Sequence, residues 1–104
     1  MSRYKIEIAE PAENDLYELS NYIAKELLEP DIALRLVDKI GYEIIKLEDM
    51  PLRNGLVIDE RLAFQGIRRI IVDNYTVFYV VEEEYEIVTI IRILYSRRDW
   101  INLL

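Results

Sequence analysis

Two stretches near the C-terminal end, "YTVFYVVE" (75–82) and "EIVTIIRILY" (86–95), are apolar at odd and even positions alike. Successive side chains of a strand point to opposite faces. A strand of this kind therefore belongs in the centre of a sheet. In a chain of 104 residues that leaves room for one domain, spanning 1–104, with these two strands central and amphipathic elements laid over them.

The remaining segments supply those elements. Residues 3–9, "RYKIEIA", alternate, with Tyr4, Ile6 and Ile8 on one side, and predict a half-buried strand. Pro11 suits a first helical turn. Ala12, Leu16, Leu19, Ile23 and Leu27 then recur at steps of three and four, with Glu13, Asp15 and Glu18 near the positive end of the helix. A second helix opens at Pro30, carries Ala33, Leu36, Val37, Ile40, Ile44 and Leu47 on one face, and stops before Pro51. Gly41 inside it is expected to mark a close helix–helix approach. Residues 51–66 are irregular, with turn chemistry at Asn54-Gly55, and long loops in compact domains are often functional. "IRRIIV" (67–72) turns at Asp73-Asn74 into the first central strand, and "RDWINLL" closes the chain as a short helical tail.

The predicted fold class is thus α+β, in the order β-α-α-β-β-β. A helical hairpin is packed on one face of a mostly antiparallel four-stranded sheet, and the other face is left incompletely covered. Such an uncovered face is a candidate partner surface.

The chain holds no cysteine and no histidine. Disulfides, thiolate nucleophiles, structural zinc and imidazole mechanisms are excluded, and the sequence calls for no cofactor and no metal. The first residues have no apolar run of the secretory type, and the longest apolar segment is too short to span a bilayer, so a cytoplasmic location and no membrane partner are expected.

A formal charge of −7 opposes non-specific attraction to nucleic acid, but the charge is unevenly distributed. Residues 1–50 hold twelve acids and six bases, whereas residues 51–104 hold eight acids and seven bases, all seven of them arginine. Four of those eight acids lie in "EEEYE", which reads as a solvated hairpin tip. A local arginine face on an acidic body follows, suited to bidentate contact with phosphate or carboxylate.

The candidates lie in "IIRILYSRRDW" (90–100). Strand parity places Ile87, Thr89, Ile91, Ile93 and Tyr95 on one face, and Val88, Ile90, Arg92 and Leu94 on the other. Arg97 and Arg98 follow the strand end, where they form a phosphate- or target-binding platform or remain solvated. Arg69, Arg53 and Arg61 are further candidates for that site. Tyr95, whose hydroxyl can donate, is the candidate proton donor. Trp100 reads as an anchor for the tail, and Asp99 as a partner for an arginine.

Taken together, "EPAENDLYELSNYIAKEL", "PDIALRLVDKIGYEIIKLEDMP", "IRRIIVDNYTVFYVV" and "VTIIRILYSRRDW" resemble the RelE/ParE superfamily of type II toxin–antitoxin toxins, over nearly the whole length. The resemblance implies a compact toxin that stabilises plasmids or inhibits growth, held in a hetero-oligomer by a cognate antitoxin whose disordered or helical segment wraps its surface. RelE-like members cut messenger RNA in the ribosome, whereas ParE-like members are associated with inhibition of DNA gyrase. The position after Tyr75, an arginine in RelE-like enzymes, is Thr76 here, and Tyr95 stands where several relatives have histidine. Arg69, Arg97 and Arg98 match basic positions of the family. The expectation is a ParE-like toxin. An mRNA interferase using Tyr95 and Arg98 is the alternative, and a non-toxic antitoxin-binding module is the third reading. The geometry expected in the first two cases gathers Arg69, Arg97 and Arg98 beside Tyr95 on the uncovered sheet face.

Overall fold

A computed structural model describes residues 3–98 and 100–104. Strand β1 (Lys5–Ile8) leads into helix α1 (Glu10–Asn21), which continues as a π-helical turn over Tyr22–Glu26. Helix α2 (Pro30–Ile45) ends in a 3-10 turn at Lys46–Glu48. A short helix α3 (Glu60–Phe64) precedes β2 (Arg68–Val72), β3 (Tyr75–Glu82) and β4 (Ile87–Tyr95), and a second 3-10 turn covers Trp100–Asn102.

The sheet order is β1-β4-β3-β2, so the two doubly apolar strands are the inner ones. β1 runs parallel to β4, with Lys5 opposite Ile87 and Ile8 opposite Ile90. The other pairings are antiparallel. Asp73 takes the left-handed conformation (φ 54°) that a tight β2–β3 turn needs. Between the helices the chain reverses at Leu28, a non-glycine residue at φ 55°.

Helix α1 with its π-helical turn and helix α2 bury most of the predicted stripes, Ala12, Leu19 and Ile23 from one and Ala33, Leu36, Ile40 and Ile44 from the other, against Val77, Tyr79, Val88, Ile90 and Ile93 of the sheet. Leu27, at the end of the first stripe, is exposed. Gly41 does not mark a close approach, because nothing lies within 4 Å of where its Cβ would stand.

The opposite sheet face is not bare. Val57, Leu62 and Ile67 pack there on Phe78 and Leu94, joined by Trp100, Leu103 and Leu104 of the tail. The irregular 51–66 segment reaches this position by clipping onto the outer edge of β2. Leu56 bridges Arg68, the Val57 N–H donates to the Ile67 carbonyl at 3.0 Å, and the Asp59 side chain caps α3 by accepting the Leu62 N–H at 3.0 Å. Beneath α2 the Tyr79 hydroxyl donates to the Pro51 carbonyl at 2.7 Å. The Arg68 guanidinium donates to the carbonyls of Leu52 (3.3 Å) and Asn54 (2.6 Å). A segment read as open loop is therefore the lid of a second, smaller core.

Candidate functional site

A β-bulge sets the site's geometry. Tyr79 lies opposite Ile90 and Phe78 opposite Arg92, which leaves Ile91 as the extra residue in β4. A bulge shifts the alternation by one residue. Val88 and Ile90 face the helices before it and Ile93 does so after it, whereas Ile91 and Leu94 join the second core. The simple parity expected for β4 is thus correct only up to Ile91. Tyr95, opposite Tyr75, emerges on the helix side and not on the other face.

There it helps line a groove of about 1100 Å³ between the helical pair and the end of the sheet. Leu19, Tyr22 and Ile23 form one wall, Ile32 and Leu36 a second, and Tyr75, Ile93 and Tyr95 the floor. Tyr75 and Tyr95 meet edge to face, centroids 5.7 Å apart, a favourable aromatic geometry. Burial raises the Tyr75 hydroxyl above the ordinary phenol value, and the neighbouring Tyr95 and Tyr22 hydroxyls push it the same way. At the groove's rim stand Arg35, Glu18, Glu29 and Arg98, together with the Lys39–Asp73 pair at 3.1 Å. Several walls are only half covered, with Tyr22, Leu27, Ile32 and Tyr95 exposed despite their apolar surface.

The predicted residues divide between the two faces. Arg98 lines the groove with Tyr95, and its N–H donates to the Tyr95 carbonyl at 3.0 Å. Arg97 is exposed in the turn after β4. Arg69 lies opposite Phe78, on the face of the second core, while its neighbours Ile70 and Val72 face the helices. Arg61 is exposed on α3, and Arg53 is exposed in the turn after α2. The expected gathering of Arg69, Arg97 and Arg98 beside Tyr95 is therefore corrected. The bulge turns Tyr95 to the helix side, and strand alternation sends Arg69 to the other. Asp99 lies outside the described residues.

Sequence reading missed a buried polar network. Asp15, only 8 % exposed, receives Nε and Nη2 of Arg92 at 2.7 and 2.8 Å and the Ile93 N–H at 3.0 Å. The third guanidinium nitrogen, Nη1, donates to the Leu103 carbonyl at 3.0 Å. The Asp15 hydrogen bond raises the already high Arg92 value further, against the effect of burial. The cause is topological. β1 pairs with β4 only as far as Ile90, and α1 then crosses the freed edge, where the Ile93 N–H needs an acceptor. A sequence signal did exist, because Asp15 sits between Ala12 and Leu19 within the apolar stripe of α1. An acid there, with a lone arginine in an otherwise apolar central strand, is the pattern of a buried pair.

Among the described residues, no group of three or more carboxylates could hold a metal ion, and no helix is long and apolar enough to cross a membrane.

A search of curated proteins by sequence finds no match. Among solved structures the chain is similar to one of a chromosomal ParDE toxin–antitoxin system of P. aeruginosa, at 18 % identity and TM-score 0.74, covering 91 % of this chain and 98 % of that one. It is also similar to a free-state double mutant of E. coli RelE (13 % identity, TM-score 0.67, 97 % and 92 % covered). The RelBE2 toxin–antitoxin complex of Mycobacterium tuberculosis gives 20 % identity, TM-score 0.62, and 89 % and 98 % covered. At these identities the likeness concerns the fold, two helices on a mixed four-stranded sheet. Residues 6–100 match the family described as the ParE toxin of the type II toxin-antitoxin system parDE, and with that span covered the chain belongs to the ParE toxin family.

Proposed function

We propose that this chain is a ParE-like toxin that arrests growth by binding an essential protein such as DNA gyrase, and that a cognate antitoxin neutralises it. Solved structures of similar fold include toxin–antitoxin complexes, which supports a resting state bound to an antitoxin. In this reading Arg97 and Arg98 contact the target from the exposed turn after β4.

The observation that carries the preference for binding over RNA cleavage is the separation of Arg69 from Tyr95 across the sheet, which leaves Arg98 as the one of the three family-matched arginines that lines the groove with Tyr95. In-line cleavage needs a cation on the phosphate and an acid–base group at the same scissile bond. Groups on opposite faces of a sheet do not meet one phosphate. Thr76, at the position where RelE-like enzymes carry arginine, is buried with its hydroxyl 2.8 Å from that of Ser96. This hydroxyl pair secures the strand end and leaves no charge there. The runner-up, an mRNA interferase, is favoured by one observation, the proximity of Tyr95 and Arg98 at the groove mouth.

Inducing the chain alone in bacterial cells tests the reading. Loss of negative supercoiling with intact transcripts is the expected result. Codon-phased transcript cleavage that vanishes in Tyr95→Phe or Arg98→Ala overturns it in favour of the interferase. Unimpaired growth overturns it in favour of a module that binds antitoxin only.

A further inference from the structure

The Asp15–Arg92 pair is complete with two guanidinium nitrogens, Nε and Nη2, on the two carboxylate oxygens. That fork fixes the guanidinium plane against α1. The third nitrogen adds nothing to the pair, yet it reaches a carbonyl eleven residues on, that of Leu103. Between Arg92 and Leu103 the chain carries the exposed Arg97 and Arg98.

The stretch is tied on both sides of those two arginines. Before them, the Ser96 N–H donates to the Asn74 carbonyl at 2.8 Å, and the Ser96 hydroxyl pairs with that of Thr76 at 2.8 Å. Beyond them, the Trp100 ring lies on Phe78 with centroids 5.2 Å apart. The N–H groups of Leu103 and Leu104 both donate to the Trp100 carbonyl, so these residues form one compact turn. Arg92 holds that turn to α1 and β4 from a position mostly hidden from solvent.

We propose that Arg92 is a positioning residue for the arginine turn. Through the Leu103 carbonyl it sets where Arg97 and Arg98 are presented, and it does not itself meet the target. The inference rests on the reading above that Arg97 and Arg98 contact the target.

Arg92→Lys tests it, because an ammonium can pair with Asp15 but lacks the planar fork that aims a third donor at the tail. In the purified full chain, amide exchange over 100–104 is expected to rise about tenfold, the scale of one lost hydrogen bond. Exchange in β3 stays unchanged. At equal soluble level in cells, the inducer dose that halves growth rises by about the same factor. Faster tail exchange with undiminished growth inhibition overturns the proposal. So does faster exchange in β3 and tail together, the mark of a merely structural pair. Where Arg92→Lys does not fold, deletion of Leu103 and Leu104 decides by exchange over 100–102, exchange in β3 and growth, since it removes the acceptor and leaves the Asp15 pair intact. The Arg97→Ala/Arg98→Ala double variant separates the two readings. If it remains fully inhibitory, the target-contact reading falls and the positioning proposal with it. If it loses inhibition while Arg92→Lys retains it, only the positioning proposal falls.

Discussion

The two faces of the sheet are covered by different kinds of chain. On one side α1 and α2 lay periodic apolar stripes over five or more inward residues. On the other, α3, the strand-like Leu56–Val57 segment and the tail cover Phe78 and Leu94 with side chains drawn from aperiodic sequence. The first side is stabilised by a continuous core and the second by a patch whose edges reach solvent, as Phe64 at 95 % exposure shows. A sheet face needs cover, but the cover need not announce itself by period.

Arg92 joins the two sides, bound to Asp15 of α1 and to the Leu103 carbonyl of the tail, and its removal is expected to have the largest effect. Arg92→Met leaves Asp15 buried without its cation, a situation that costs about 3–5 kcal/mol. Chemical denaturation should register the loss as a lower midpoint with an unchanged slope. A loss below about 1 kcal/mol, the range of exposed pairs, would show that the Asp15 carboxylate finds water when its partner is gone.

Ile40 of α2 is fully buried against the sheet and Leu62 is almost as buried on α3. Ile40→Ala is expected to cost about 3–4 kcal/mol, and Leu62→Ala nearer to 2, because a short loop-borne helix settles into the cavity more easily than a packed 16-residue helix. Equal losses in denaturation would mean that the second core is as rigid as the first.

What the sequence made legible follows the same division. The strands predicted at 75–82 and 86–95, the helix starts at proline and the Asp73 turn all depend on local chemistry, and they lie within one residue of where their sequence predicted. Trp100 was legible as the anchor of the tail, whereas the cover that Val57, Leu62 and Ile67 give the second face was not, because they share no repeat. Nor was the bulge at Ile91. A single extra residue leaves no mark in a run already apolar at every position, yet it decides which face Tyr95 joins. The groove inherits that difficulty, since its floor depends on the bulge and its walls on how far the helical turn overhangs the strand ends.

Tyr79 connects the central strand to the start of the irregular segment, and its contribution is smaller and pH-dependent. Tyr79→Phe removes the donor to the Pro51 carbonyl and is expected to cost about 1–3 kcal/mol. Burial raises the Tyr79 hydroxyl above the ordinary phenol value, although Asn54 and the charges of Arg68 and Arg53 pull it back. Tyr75 is raised as well. In both cases the folded chain holds its proton to higher pH than the unfolded chain, whose phenols titrate near pH 10. Between those limits the folded state binds more protons, so stability falls as pH increases. It is complete below about pH 10 and lost as pH climbs through the folded values. Denaturant midpoints measured from pH 8 to 11 should show this decline, with a shallower slope in Tyr79→Phe. A flat profile would mean that both phenols ionise in the folded chain as easily as in the unfolded one.

The smallest expected effect has the opposite sign and comes from the better-packed side. Gly41 lies in the interior of α2, where glycine is the second-worst helix former, and open space surrounds its missing Cβ. Gly41→Ala should therefore stabilise the protein by about 1 kcal/mol, through the lower backbone entropy of the unfolded chain. Only the outward side of α2 has this slack, since its inward stripe of Ala33, Leu36, Ile40 and Ile44 is buried throughout. A rise in thermal midpoint would confirm that the helical layer presses on the sheet alone. A fall would mean that α2 meets another surface at Gly41 in solution, and the helical side would then be the face that takes a partner.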